Sequence, residues 1–191
     1  MEVIIKDKNI DIESGYIYGL IMDEPLNKTT NTLINSDYYQ DISLNDANEI
    51  KLGELIGVKE VNSFTNNKRK LLARILTTKS DYIIIENFFA NFTYVDQNAF
   101  IKLFRNIVKK YHKTIIIKEN DMDFLLNNCD YLINYEDLKI VNKNEYYLIN
   151  YASFDKPSIL EFTNLALEKN INLKYFSNRL DLLKALYRLV K

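Results

Sequence analysis

The chain has 191 residues, enough to bury a sizeable core without disulfide or metal staples. Its formal net charge is −1, from 25 Lys+Arg against 26 Asp+Glu, which argues against nucleic-acid binding through counterion release. One Cys (Cys129) and one His (His112) exclude an internal disulfide, a Cys-based zinc site and any centre that needs two histidines.

In chain order, MEVIIKDKNIDIESG carries a charge every few positions, unlike a signal peptide. Tyr16–Met22 is a short apolar run after Gly15. Lys28–Asn35 starts polar and reads as a helix opening, and Asp46–Leu55 has a helix-compatible pattern. Asn66–Thr78 is amphipathic, with Leu71, Leu72, Ile75 and Leu76 on one face. Tyr82–Ile85 suits a strand buried on both faces. Asp96–Lys110 follows as a second amphipathic helix, with Phe100, Leu103, Phe104 and Ile107 on one stripe. Then come a strand at Thr114–Ile117, a short helix at Phe124–Asn128, and strands at Tyr131–Ile133 and Lys139–Val141. The tail reads as a strand at 146–151, a helix over Pro157–Leu167, a strand over Asn172–Phe176 and a helix over Leu180–Val190.

Buried runs alternating with helices predict an α/β fold with a mainly parallel sheet flanked by helices. The division expected is a core over 1–144 and a small C-terminal α/β extension over 145–191, packed on or beside it. No run approaches eighteen apolar residues, so no transmembrane helix and no membrane insertion are expected. The expected compartment is the cytoplasm.

Gly15-Tyr16-Ile17-Tyr18-Gly19-Leu20-Ile21 resembles the strand that enters the phosphate-binding loop of ABC-transporter ATPases, and Lys28-Thr29-Thr30 falls where that family has Lys-Ser-Thr. Further pieces follow in family order. Ser63-Phe64-Thr65-Asn66 sits at the signature, and Arg69 with Ala73-Arg74-Ile75-Leu76 resembles the helix after it. Tyr82–Ile85 with Glu86-Asn87 resembles the Walker B strand, and Thr114–Ile117 with Lys118-Glu119-Asn120 the strand before the switch histidine. Cys129-Asp130-Tyr131 matches a late strand start, and the Leu-rich C-terminus is similar to the last helix of many family members. The resemblance implies a P-loop NTPase-like fold. Only a short segment separates Thr30 from Ser63, so it also implies a helical subdomain that is shortened or missing.

The departures fall on the residues that carry chemistry. A phosphate loop converges backbone N–H groups on anionic oxygens, and glycines permit the close approach. Here Met22, Pro25 and Asn27 replace the loop glycines, and Asp23 and Glu24 place two negative charges where a triphosphate would lie. Pro25 also removes one N–H. Two readings of Lys28-Thr29-Thr30 stay open: phosphate and Mg²⁺ binding, or a polar helix N-terminus inherited from an ancestor. Glu86, one methylene longer than the family's Asp, could still reach a metal-bound water, with Thr29 as the other candidate metal ligand. Asn87 stands in place of the general base, and a neutral amide accepts no proton at pH 7. Glu119 stands in place of the switch histidine. His112, near a helix end, reads as surface, and Tyr16 and Tyr18 as packing residues. Ser63 could still donate to a γ-phosphate.

These features imply a catalytically inactive ABC ATPase-like subunit with no catalytic residue and no cofactor, any ATP or Mg²⁺ binding being weak. It would act by pairing with an ABC ATPase, a permease or a second copy, and would reach the inner face of the membrane only through that partner. Two alternatives stand beside it: a divergent nucleotide-binding NTPase using Lys28, Thr29 and Glu86, and a stand-alone binding module without nucleotide.

Overall fold

A computed structural model describes residues 2–5, 8–23, 26, 33–35, 81–89, 92–152 and 154–189. The expected helices at Asp46–Leu55 and Asn66–Thr78, the Ser63 region and the shortened helical subdomain lie outside the described residues.

Parallel strands bury both faces, so they need continuous apolar sequence and a cover on each side. The chain supplies three such runs. These are β3 (Ile17–Ile21), β5 (Tyr82–Glu86) and β6 (Thr114–Lys118). With β4 (Leu33–Asn35), β7 (Tyr131–Asn134) and β8 (Lys139–Asn142) they form one sheet in the order β4-β5-β6-β3-β7-β8. The ladder is parallel from β4 to β7, and only β8 runs antiparallel. The fold is thus α/β with a mainly parallel sheet.

Alternate residues point to opposite faces of a strand. Ile17, Ile21, Ile83, Ile85, Ile115 and Ile117 share one core with helices α1 (Tyr94–Tyr111) and α2 (Met122–Asn128). Tyr18, Leu20, Ile84, Ile116 and Ile133 share the other with Val3, Ile5 and Ile10 of an N-terminal hairpin. That hairpin, β1 (Glu2–Ile5) with β2 (Lys8–Asp11), packs on the face opposite α1 and α2.

Close packing fixes where α2 lies. A Cβ on Gly19 would come within 2.9 Å of Leu132 Cδ2, 3.2 Å of Cys129 Sγ and 3.3 Å of Leu125 Cβ, so β3 meets α2 and β7 at a spot with no room for a side chain. Burial pushes the Cys129 thiol far above its ordinary value, and the thiol acts as a small apolar group. Asp130 ties the other end of β3 down. Its carboxylate accepts from the Ile17 N–H at 3.0 Å and pairs with Arg105 of α1 at 2.9 Å.

Three expected elements differ. Leu33–Asn35, read as part of a helix opening, is strand β4 beside β5, because sheet pairing overrides a polar local pattern. The expected strand at 146–151 is a 3-10 turn over Lys143–Leu148, capped by the Asn142 side chain on the Asn144 N–H. Tyr146 is buried there and donates to the Phe176 carbonyl at 3.0 Å. The stretch 172–176, expected as a strand, carries no ladder among the described residues. Two helices complete the described tail, α3 (Ser158–Glu168) and α4 (Arg179–Leu189). Ile159, Leu160, Ala166, Leu173 and Leu182 from this tail join the same core as α1 and α2. Among the described residues no helix is long and apolar enough to cross a membrane.

Candidate functional site

In open parallel sheets, ligands bind beyond the carboxyl ends of the strands. Three strand ends meet there: β3 running into Met22 and Asp23, β5 into Glu86 and Asn87, and β6 into Lys118 and Glu119. β5 and β6 pair in parallel with Glu86 opposite Lys118, so register alone brings an acid and a base side by side.

Glu86 is 0% and Lys118 3% exposed, and Lys118 Nζ lies 3.3 Å from Glu86 Oε1. The same oxygen accepts the Leu26 N–H at 2.8 Å. Leu26, from the sequence after β3, therefore lies at the end of β5 and gives its amide to a carboxylate of the same chain. A buried charge is tolerated only when it is paired and hydrogen-bonded, and both conditions hold here.

Asn87 follows with φ 48, in the left-handed region that Asn tolerates better than most residues. Its N–H donates to the Lys118 carbonyl at 3.0 Å, and its side chain is exposed. The turn it makes leads into Phe88 and Phe89, whose rings open a cluster with Phe92, Phe100, Phe104 and Phe124. This cluster fixes the loop after β5, and the Phe89 N–H donates to Glu119 Oε1 at 2.8 Å.

Glu119 lines a cavity of about 370 Å³ together with Ile21, Met22, Asp23, Asn120 and Asp155. Burial raises its carboxyl above the ordinary 4.5, opposed by the Phe89 and Phe88 N–H groups and by Lys118. The sign follows. A carboxyl with a raised folded value contributes stability that is fully present below about pH 4.5 and lost as pH rises through the raised value. Glu119→Gln keeps an acceptor for Phe89 and removes the charge. The expected outcome is that wild type loses thermal stability relative to Glu119→Gln as pH climbs from 4.5 towards neutrality, read from melting curves across that range. A constant difference at all pH values would contradict it.

Of the site residues expected from sequence, Glu86, Asn87 and Glu119 come together at this edge. Lys28, Thr29, Thr30 and Ser63 lie outside the described residues. His112 is exposed at the C-cap of α1 with φ 53, at the far end of the strands beside Gly15 and Tyr16. Tyr18 is buried, stacked on Tyr131 at 5.3 Å, and donates to the Glu13 carbonyl. Tyr16 meets Tyr131 edge-on at 5.2 Å. Lys118 is the residue that sequence reading missed. Its signal was present: Tyr-Ile-Ile-Ile-Glu and Thr-Ile-Ile-Ile-Lys are matching buried runs that end in opposite charges.

No family model matches the sequence, and no curated protein does. Among solved structures, CbiO1 from Clostridium perfringens, part of the ABC transporter complex CbiONQ, superposes with a TM-score of 0.52 at 15% identity. The match covers 87% of this chain and 90% of that one. The fold is that of an ABC-transporter ATPase domain. A dimeric bacterial ABC transporter cassette also matches, with a TM-score of 0.47 at 8% identity over 68% of this chain and 85% of that one.

An ABC ATPase fold implies a magnesium–nucleotide at this edge, and Lys28, Thr29 and Thr30, which would hold it, lie outside the described residues. The carboxylate at the end of β5 is fully buried, with an ammonium and an amide already on one oxygen. The cavity beside it is lined by three acids, Asp23, Glu119 and Asp155. Among the described residues no group of three or more His, Cys, Asp and Glu is placed to hold a metal ion.

Proposed function

We propose that this chain is a catalytically inactive ABC ATPase-like subunit that acts through protein–protein contacts. The observation that carries the reading is Glu86. At the place where an ABC ATPase would hold its metal, the carboxylate is buried and engaged by Lys118 and Leu26. The next residue, where a base would activate water, is Asn87, a neutral amide on an exposed left-handed turn.

The outer surface supports the second half of the reading. Helix α4 buries Leu182 and exposes Leu180, Leu183 and Tyr187, an apolar seam at i, i+3 and i+7. CbiO1 is part of a transporter complex. By that likeness the partner is an ABC ATPase, a permease or a second copy of this chain. The place is the cytoplasm, at the inner face of the membrane when the partner is bound.

ATP turnover tests the reading. The purified chain with millimolar MgATP should release phosphate no faster than the buffer. Turnover that Lys28→Ala abolishes would replace the reading with that of a divergent NTPase using Lys28, Thr29 and Glu86.

A further inference from the structure

Resting on the inactive-subunit reading, we propose that Glu86 and Lys118 form an internal substitute for a bound phosphate and the lysine that holds it. The pair keeps Leu26 in its position without nucleotide or metal.

The donor set on one oxygen is the reason. In a phosphate loop, a phosphate oxygen takes backbone N–H groups from the loop and an N–H from a lysine. Glu86 Oε1 takes that same pair of donor types, the Leu26 N–H at 2.8 Å and the Lys118 ammonium at 3.3 Å. Leu26 belongs to the stretch that follows β3, where a phosphate loop begins, and the anion it meets belongs to the protein.

Lys118 does not reach the oxygen from that loop. It projects from the end of β6, the strand between β3 and β5, opposite Leu20 on one side and Glu86 on the other. All three residues lie on the face that packs against the N-terminal hairpin, so the pair is roofed by apolar side chains and by Leu26, itself buried. In such a place attraction between charges is weakly screened and water competes poorly for the donors. The consequence for function is a site held in one state. A partner would meet the same surface at any nucleotide level.

The experiment is hydrogen exchange at the Leu26 amide of the whole chain, followed by NMR without ligand and again with millimolar MgATP. The expected result is protection comparable to the sheet amides of Ile85 and Ile117 in both conditions, unchanged by the nucleotide. Free exchange without ligand, or protection that appears only with MgATP, would overturn the proposal.

Lys118→Ala separates charge from packing. Its Leu26 protection should be lost, then restored by n-propylammonium chloride and not by n-propanol. Equal restoration by the alcohol would reduce Lys118 to a packing residue and overturn the proposal. If that variant does not fold, the wild-type exchange decides alone. ATP turnover in the same sample keeps the two readings apart. Hydrolysis with Leu26 protected throughout sinks the inactive-subunit reading, whereas no hydrolysis with Leu26 exposed sinks this one.

Discussion

Lys118→Met should destabilise the chain by about 3–5 kcal/mol, the usual cost of leaving one member of a buried ion pair behind. For a chain of this length that lowers the melting midpoint by roughly 6–20 °C. The reason is burial: Glu86 has no exposed surface, so its charge cannot turn to water when the ammonium goes. Glu86→Gln alone should cost a similar amount, because it leaves Lys118 charged at 3% exposure. The double variant Glu86→Gln, Lys118→Met removes both charges and keeps an acceptor for the Leu26 N–H. It should recover most of the loss, since neutral replacements of a buried pair are often well tolerated. Urea unfolding of the four proteins closes the double-mutant cycle and reads the coupling directly. Additive losses would mean that the two groups do not depend on each other.

Phe89→Ala should cost about 3–5 kcal/mol, the range for truncating a core aromatic. Phe89 is buried and its ring centre lies 4.8 Å from that of Phe124, 5.1 Å from Phe88 and 6.0 Å from Phe104. Its loss opens a cavity at the joint between the loop after β5 and helices α1 and α2. It also loosens the turn that presents the Phe89 N–H to Glu119, so the cavity edge should soften along with the core. Phe89→Leu, which keeps most of the volume, should cost clearly less. Urea unfolding checks the pair, and a loss below about 1 kcal/mol for the alanine variant would show that the cluster repacks around the gap.

Much of this architecture could be read from residues alone. The apolar runs in β3, β5 and β6 have no polar interruption, and that is the mark of strands covered on both sides. The stripe of Phe100, Phe104 and Ile107 placed α1 to within two residues at each end. What failed was decided by contacts far apart in the chain. Leu33–Asn35 is only three residues long, and nothing local distinguishes it from a helix opening until β5 lies beside it. Tyr146 has strand propensity, but its hydroxyl and ring are held by Phe176 and the core, and a 3-10 turn brings them there. The N-terminal hairpin was hidden because its charges at Lys8 and Asp11 mask the alternation of Val3, Ile5, Ile10 and Ile12.

The site was legible in its acids and not in its base. Glu86, Asn87 and Glu119 follow buried strands, and a strand end is where chemistry-bearing residues collect in this fold class. Lys118 follows an equivalent strand by the same rule. A lysine there reads as the solvated end of a strand until the register sets it against Glu86. Registry between strands about thirty residues apart is a tertiary fact, and it turned two ordinary charges into a closed pair.

Thermal unfolding of the purified chain with and without millimolar MgATP tests most directly whether this edge still takes a nucleotide. The expected result is one midpoint in both conditions. A ligand at a hundred times its dissociation constant stabilises by about 2.7 kcal/mol, or roughly 5–10 °C here. A rise of that size, removed by Lys28→Ala, would contradict a site filled by its own carboxylate and lysine.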